Sequence, residues 1–180
     1  MEEKIFELIQ AKKQEVELKK LIACNERTGR FGLSLTEEAA QELMVCRNES
    51  LKKYRRVEFG EGILDKLIDA FCDSQYIHQE DYVETLEKLQ DIFYEYKNES
   101  RDRLTDDELL TFMREQFEKI CFGDLDYLEG TCLRNFAQAL RHGYKGYRTN
   151  GGRDEYGQFD EVTRWDSELY FDAAKELFWG

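Results

Sequence analysis

Apolar residues recur along most of this chain at the three- and four-residue intervals of an amphipathic α-helix. The clearest stretch runs from about Gln79 to Asn98. There Tyr82, Val83, Leu86, Leu89, Phe93 and Tyr96 hold one side, and Glu80, Glu84, Glu87, Asp91 and Glu95 lie mostly on the other. Roughly Glu61 to Asp73 carries Ile63, Leu64, Leu67, Ile68 and Phe71, a stripe that predicts a core helix. The first segment, about Glu3 to Ala23, is less regular. Ile5, Leu8, Ile9, Val16, Leu21 and Ile22 form a discontinuous apolar side around a polar middle from Lys12 to Glu15. Asn25 to Gly32 reads as a turn, with Gly29 and Gly32 as breakers.

Helix boundaries follow from short-range chemistry. Ser34 and Glu37 have capping-box spacing, with Thr36 as a competing N-cap, ahead of Ala40, Leu43, Met44 and Leu51. Thr105 and Glu108 repeat that spacing before Leu109, Phe112, Met113, Phe117 and Ile120, and Gly123 ends the run. Asp124 caps a sixth helix through Leu128, Cys132, Phe136 and Leu140, with Gly130 as a weak point and Gly143 as its C′ residue. The pattern predicts an all-α fold, a bundle of about six helices over residues 1–143. The texture then changes. Five glycines between Gly143 and Gly157, interleaved with tyrosine and arginine, read as a loop or mobile arm. A short amphipathic helix, about Ser167 to Phe178, completes an appendage over 144–180 that is expected to pack on the core.

Composition sharpens this picture. The chain of 180 residues suits one domain with a small appendage. It has no proline, where about nine are expected at average usage, which suits long helices with short connections. Its 39 acids and 26 bases give a net charge of −13, which favours solubility and disfavours general binding to duplex DNA. The five cysteines are widely spaced with no CxxC, so they read as reduced, buried, inert thiols. The chain begins Met1-Glu2-Glu3-Lys4, without signal-peptide character, and no apolar run approaches the length of a membrane span. A cytoplasmic protein without membrane contact is expected.

Candidate chemistry is sparse. A carboxylate di-iron bundle needs Glu-x-x-His pairs, yet His78 and His142 are preceded at the third position by Gln75 and Ala139. The acids from Glu80 to Glu95 read as a solvated face. Gly60-Glu61-Gly62 faintly echoes a dinucleotide loop, but Asp65 takes the third glycine position and no βαβ pattern surrounds it. Asp124-Leu125-Asp126 and Asp154-Glu155 lack the ligand pattern of a calcium loop. There is no nucleophile elbow or P-loop. Cysteine–histidine catalysis stays open, since such partners meet only in space. No cofactor and no metal site is expected.

Two basic clusters and an aromatic end remain. Lys52, Lys53, Arg55 and Arg56 close the second helix, where cations complement the helix dipole. Arg141, His142, Lys145, Arg148 and Arg153 form the other cluster, with Tyr144 and Tyr147 interleaved and no acid among them. Arginine for phosphate and tyrosine for base stacking is the logic of single-strand recognition; docking of this arm on an acidic body is the alternative. The chain ends with Trp165, Tyr170, Phe171, Phe178 and Trp179, which either close the core or anchor a partner.

Cys24-Asn25-Glu26, Gly32-Leu33-Ser34-Leu35-Thr36, the stretch from Arg56-Val57-Glu58-Phe59-Gly60 to Glu99, and above all Phe71-Cys72-Asp73-Ser74 to Asp81-Tyr82 carry a resemblance. Over roughly Leu21 to Gly143 the chain resembles an uncharacterised bacterial domain family of Gram-positive anaerobes. The resemblance implies a bacterial cytoplasmic protein of unknown function and transfers no catalytic or binding residue.

The expectation is therefore a non-enzymatic interaction or regulatory module with a protein partner or self-association. Its candidate partner- or anion-binding residues are Arg141, Tyr144, Lys145, Tyr147, Arg148, Arg153 and Trp179. Single-stranded nucleic acid or another polyanion on the same arm is the alternative, and an enzyme with an unrecognised site is the second.

Overall fold

The computed structural model describes residues 2–58 and 62–143. In chain order the helices are α1 (Glu2–Ala23), α2 (Asn25–Thr28), α3 (Glu37–Lys53), α4 (Leu64–Phe71), α5 (Tyr82–Glu99), α6 (Asp106–Lys119), α7 (Leu125–Tyr127) and α8 (Arg134–Arg141). Six have eight residues or more, and no strand occurs among the described residues. The fold is all-α, as the periodicity predicts. The chain divides into two compact units, Met1–Asp91 and Ile92–Gly180. The arm and terminal helix expected beyond Gly143 lie outside the described residues, as do Tyr144, Lys145, Tyr147, Arg148, Arg153 and Trp179.

In the first unit, α1 packs on α2, α3 and α4. Thr36 wins the competition to cap α3: its hydroxyl accepts from the Ala39 N–H at 3.1 Å. Ser34 is engaged elsewhere. Its N–H donates to Gln79 Oε1 at 2.8 Å, and Gln79 Nε2 donates to its carbonyl at 3.1 Å. Asn25 treats Leu35 the same way, with two bonds of 2.8 Å. Each side-chain amide thus meets the backbone N–H and C=O of one residue, as a neighbouring strand would. The expected turn at Asn25–Gly32 is corrected: it is α2 followed by a 3₁₀ turn, Gly29–Phe31. The Thr28 hydroxyl reaches forward to the Leu33 carbonyl, and Gly32, at φ 78°, ends the helical run.

The α4 stripe is entirely core: Ile63, Leu64, Leu67, Ile68 and Phe71 are all buried. Gly62 leads into it at φ 75°, and a Cβ there would meet Glu58 Oε2 at 2.7 Å. The core face of α3 is less apolar than expected. Arg47 and Ser50 are buried there beside Leu43 and Met44, and Leu51 is half-buried. Arg47 is neutralised by Glu17 of α1 and by Glu58 at 3.6 Å, as a buried cation must be.

In the second unit, Thr105 and Glu108 form the capping box that starts α6. The core holds Leu109, Met113, Phe117 and Leu133, with Phe112 and Phe136 stacked at 3.9 Å. The expected sixth helix is corrected to three pieces. Asp124 caps the single turn α7, accepting from the Asp126 and Tyr127 N–H groups. A π-helical turn, Leu128–Leu133, follows, and only then α8. Gly130, the expected weak point, lies within the π-turn, and the Tyr96 hydroxyl donates to the Glu129 carbonyl there. Gly143, at φ 89°, follows the end of α8, and Arg103 donates to the Leu140 carbonyl at 2.6 Å, placing a cation at that helix end.

Candidate functional site: an exposed helix face and an acidic groove

Helix α1 has 22 residues, of which only Leu21 is buried. Its large apolar side chains stand in solvent: Ile5 is 56% exposed, Phe6 63%, Leu8 70%, Ile9 49% and Val16 45%. The side that packs is made by its last turns, where Glu17, Leu18 and Ile22 are half-buried beside Leu21. At 100° per residue, Ile5, Leu8, Ile9 and Val16 gather on one side of the wheel, roughly 170° from the centre of that packed side. The expected apolar side of this helix is therefore two faces. The C-terminal one enters the core, and the N-terminal one points away from it.

A second feature lies between α3 and α5, still within the first unit. An open groove of about 430 Å³ is lined by Cys46, Glu49, Ser50 and Lys53 of α3 and by Glu84, Glu87, Lys88 and Asp91 of α5. Asp91 accepts from Ser50 Oγ at 3.2 Å and from the Tyr54 hydroxyl at 2.9 Å, with Lys53 at 3.5 Å. Glu87, Asp91 and Glu95 are half-buried, which corrects the expectation of a wholly solvated acidic face. Burial, then the neighbouring charges of Glu42, Glu84 and Glu49, push the Glu87 carboxyl above its ordinary range. Burial and the acids Glu87, Asp91 and Glu49 likewise push the Cys46 thiol up. A nucleophilic cysteine needs the opposite surroundings, since only the thiolate attacks.

The other thiols are placed as follows. All five cysteines are free; Cys24, Cys121 and Cys132 are buried, whereas Cys46 and Cys72 are only partly so. Cys121 and Cys132 face each other across 3.5 Å, and the hydrogen bond between them, with burial, holds the Cys121 thiol protonated. Both histidines are exposed, His78 in the first unit and His142 in the second. Of the basic arm, Arg141 is described, and its guanidinium is ion-paired with Glu99. The expected cation cluster at the end of α3 is present in part: Lys53 lies beside Asp91, and Arg55 takes a left-handed conformation at φ 55°. No described helix is long and apolar enough to cross a membrane.

Residues 20–146 match the family described as a family of unknown function (DUF6323). The chain belongs to that family. The matched segment takes in α2 through α8 and the last turn of α1, and it leaves residues 2–19, which carry the exposed stripe, outside. No curated protein and no solved structure matches the chain.

The exposed face of α1 is the feature that sequence reasoning missed. Ile5, Leu8, Ile9 and Val16 were legible as apolar and helical. The missing signal is phase: they share no side of the wheel with Leu21, the one buried residue of the helix.

Proposed function

We propose that this chain is a non-enzymatic protein-interaction module of a bacterial cytoplasm, with α1 as its docking element. The observation that carries the reading is the set of five large apolar side chains on α1, each 45% or more exposed, on a helix anchored only at its C-terminal end. A solvated helix of this kind gains nothing from apolar residues by itself, because helix stability in proteins comes mainly from packing. Four of them, Ile5, Leu8, Ile9 and Val16, share one side of the helix, and apolar residues gathered on one exposed face mark an interaction surface. Helix-in-groove recognition uses the same spacing of anchors, at i, i+3 and i+4, as Ile5, Leu8 and Ile9. The groove thiol of Cys46 and the buried thiol of Cys121 are both pushed up, which supports a reading without nucleophilic chemistry.

The test is the double variant Leu8→Glu, Ile9→Glu in the full chain. Unchanged helicity and melting temperature in dilute solution are the expected result. A fall of more than about 3 °C, equivalent to roughly 1 kcal/mol for a chain of this length, would return the stripe to the chain's own core and sink the reading.

A further inference from the structure

We infer that the occupant of the α1 stripe is the α1 of a second copy, lying antiparallel. This inference rests on the docking reading above and adds the partner. Charge carries it. Over residues 2–10 the helix has three acids, Glu2, Glu3 and Glu7, and one base, Lys4; over 11–20 it has four bases, Lys12, Lys13, Lys19 and Lys20, and two acids, Glu15 and Glu17. One half is acidic and the other basic, so two copies complement each other when they run in opposite directions.

The seam gives the same answer. On the helical wheel Lys12 and Lys19 lie within the sector of the exposed stripe. A parallel pair sets Lys12 against Lys12 of the second copy and Lys19 against Lys19, which is repulsive at each level. An antiparallel pair that seats Ile5 on Val16 of the other copy brings Lys19 opposite Glu2 and Lys4 near Glu15. Each contact occurs twice by symmetry. Glu15, already held below its ordinary range by Lys19 and Lys12 of its own helix, remains an anion in that setting. The antiparallel arrangement also sends the rest of each chain, with its strong negative charge, to opposite ends of a helix pair about 30 Å long. A parallel pair would bring these like charges together. Lys12 meets the apolar side chains of the second copy and keeps its ammonium at the edge by extending its stem. The seam is short, so the association belongs at the weak end of protein interfaces.

The experiment is sedimentation of the full chain over a range of concentration and salt. Dimers forming in the range of tens of micromolar, lost in Leu8→Glu, Ile9→Glu and weakened by added salt, are the expected result. Lys19→Glu should weaken the homodimer about fivefold, and an equimolar mixture of Lys19→Glu with Glu2→Lys should recover it, since both contacts are restored in the mixed pair. A chain that stays monomeric at 100 μM or so overturns self-pairing. A dimer strengthened by salt, or indifferent to Lys19→Glu, overturns the antiparallel arrangement. Stripe variants that leave the chain monomeric yet shift its tryptophan emission overturn it too, because both tryptophans lie at 165 and 179 and the stripe would then belong to the chain's own tail. Failure of the docking reading is distinct from all of these: it shows as lost stability of the monomer.

Discussion

Helices α1 and α4 stand at opposite limits of what a helix contributes to its own fold. Helix α4 has eight residues and buries Leu64, Leu67, Ile68 and Phe71, half of its length. Helix α1 has 22 and buries Leu21 alone. Length and apolar residues do not explain the difference, since α1 is the longer helix and carries more apolar residues. What separates them is whether the apolar residues share one side with the point of attachment. In α4 every apolar turn falls on the packed face. In α1 the last turns set the packed face, and the preceding apolar residues fall behind it. A helix can be well formed by backbone bonding and still contribute little burial.

The largest effect that tests this contrast is in α4. Leu67→Ala removes a fully buried side chain and is expected to cost about 2–5 kcal/mol, read as a shift in the denaturant midpoint. A cost below about 1 kcal/mol would mean that α4 is not the core element its burial indicates. Next comes the anchor of α1. Glu17→Gln removes one of the two carboxylates that neutralise the buried guanidinium of Arg47, and is expected to cost roughly 1–3 kcal/mol. A neutral outcome would show that Glu58 alone suffices for Arg47.

A smaller effect comes from the acidic groove and has a defined sign. The carboxyl of Glu87 is raised in the folded state, so the native chain holds its proton more tightly than the unfolded chain does. Its contribution favours the fold below the ordinary carboxylate range and is lost as pH rises through the raised folded value. Glu87→Gln should therefore raise stability modestly at neutral pH and remove this group's loss of stability with rising pH. A variant less stable at pH 7 would show that the Glu87 charge is itself held by the groove. The smallest effect closes the comparison: Leu8→Ala is expected to change monomer stability by less than about 0.5 kcal/mol, although it removes the same atoms as Leu67→Ala.

Much of the fold was legible because its determinants are local. Thr105 with Glu108, and Asp124 with Asp126 and Tyr127, act within a single turn, so spacing alone finds them. The α4 stripe was legible because its phase is constant. Long-range pairing was not. Gln79 binds Ser34 across 45 positions and Asn25 binds Leu35 across 10, and nothing in either residue names its partner in advance. Buried polar groups were missed for a related reason. Lys97 is buried because its ammonium finds the Leu104 carbonyl at 2.5 Å and Asp106 at 2.8 Å, partners that exist only after the chain turns between α5 and α6. The π-turn left one trace, Gly130. Glycine also permits a plain helical turn at a cost, so the letter does not choose between the two. Of the candidate site residues, only Arg141 falls among those described, and its charge is engaged with Glu99.

The absence of glycine and proline from Glu2 to Ala23 gives α1 a further property. Without a hinge, the helix behaves as a drive shaft: its outer face is locked in phase with the face held by Leu21. One residue added between Val16 and Glu17 would rotate whatever rides on the stripe by about 100° and push it outward by 1.5 Å or so. Seven added residues would bring the stripe back to within roughly 20° of its starting bearing, about 10 Å farther out. The spacing between anchor and stripe is therefore a setting of angle and reach, adjustable by insertion without touching either surface.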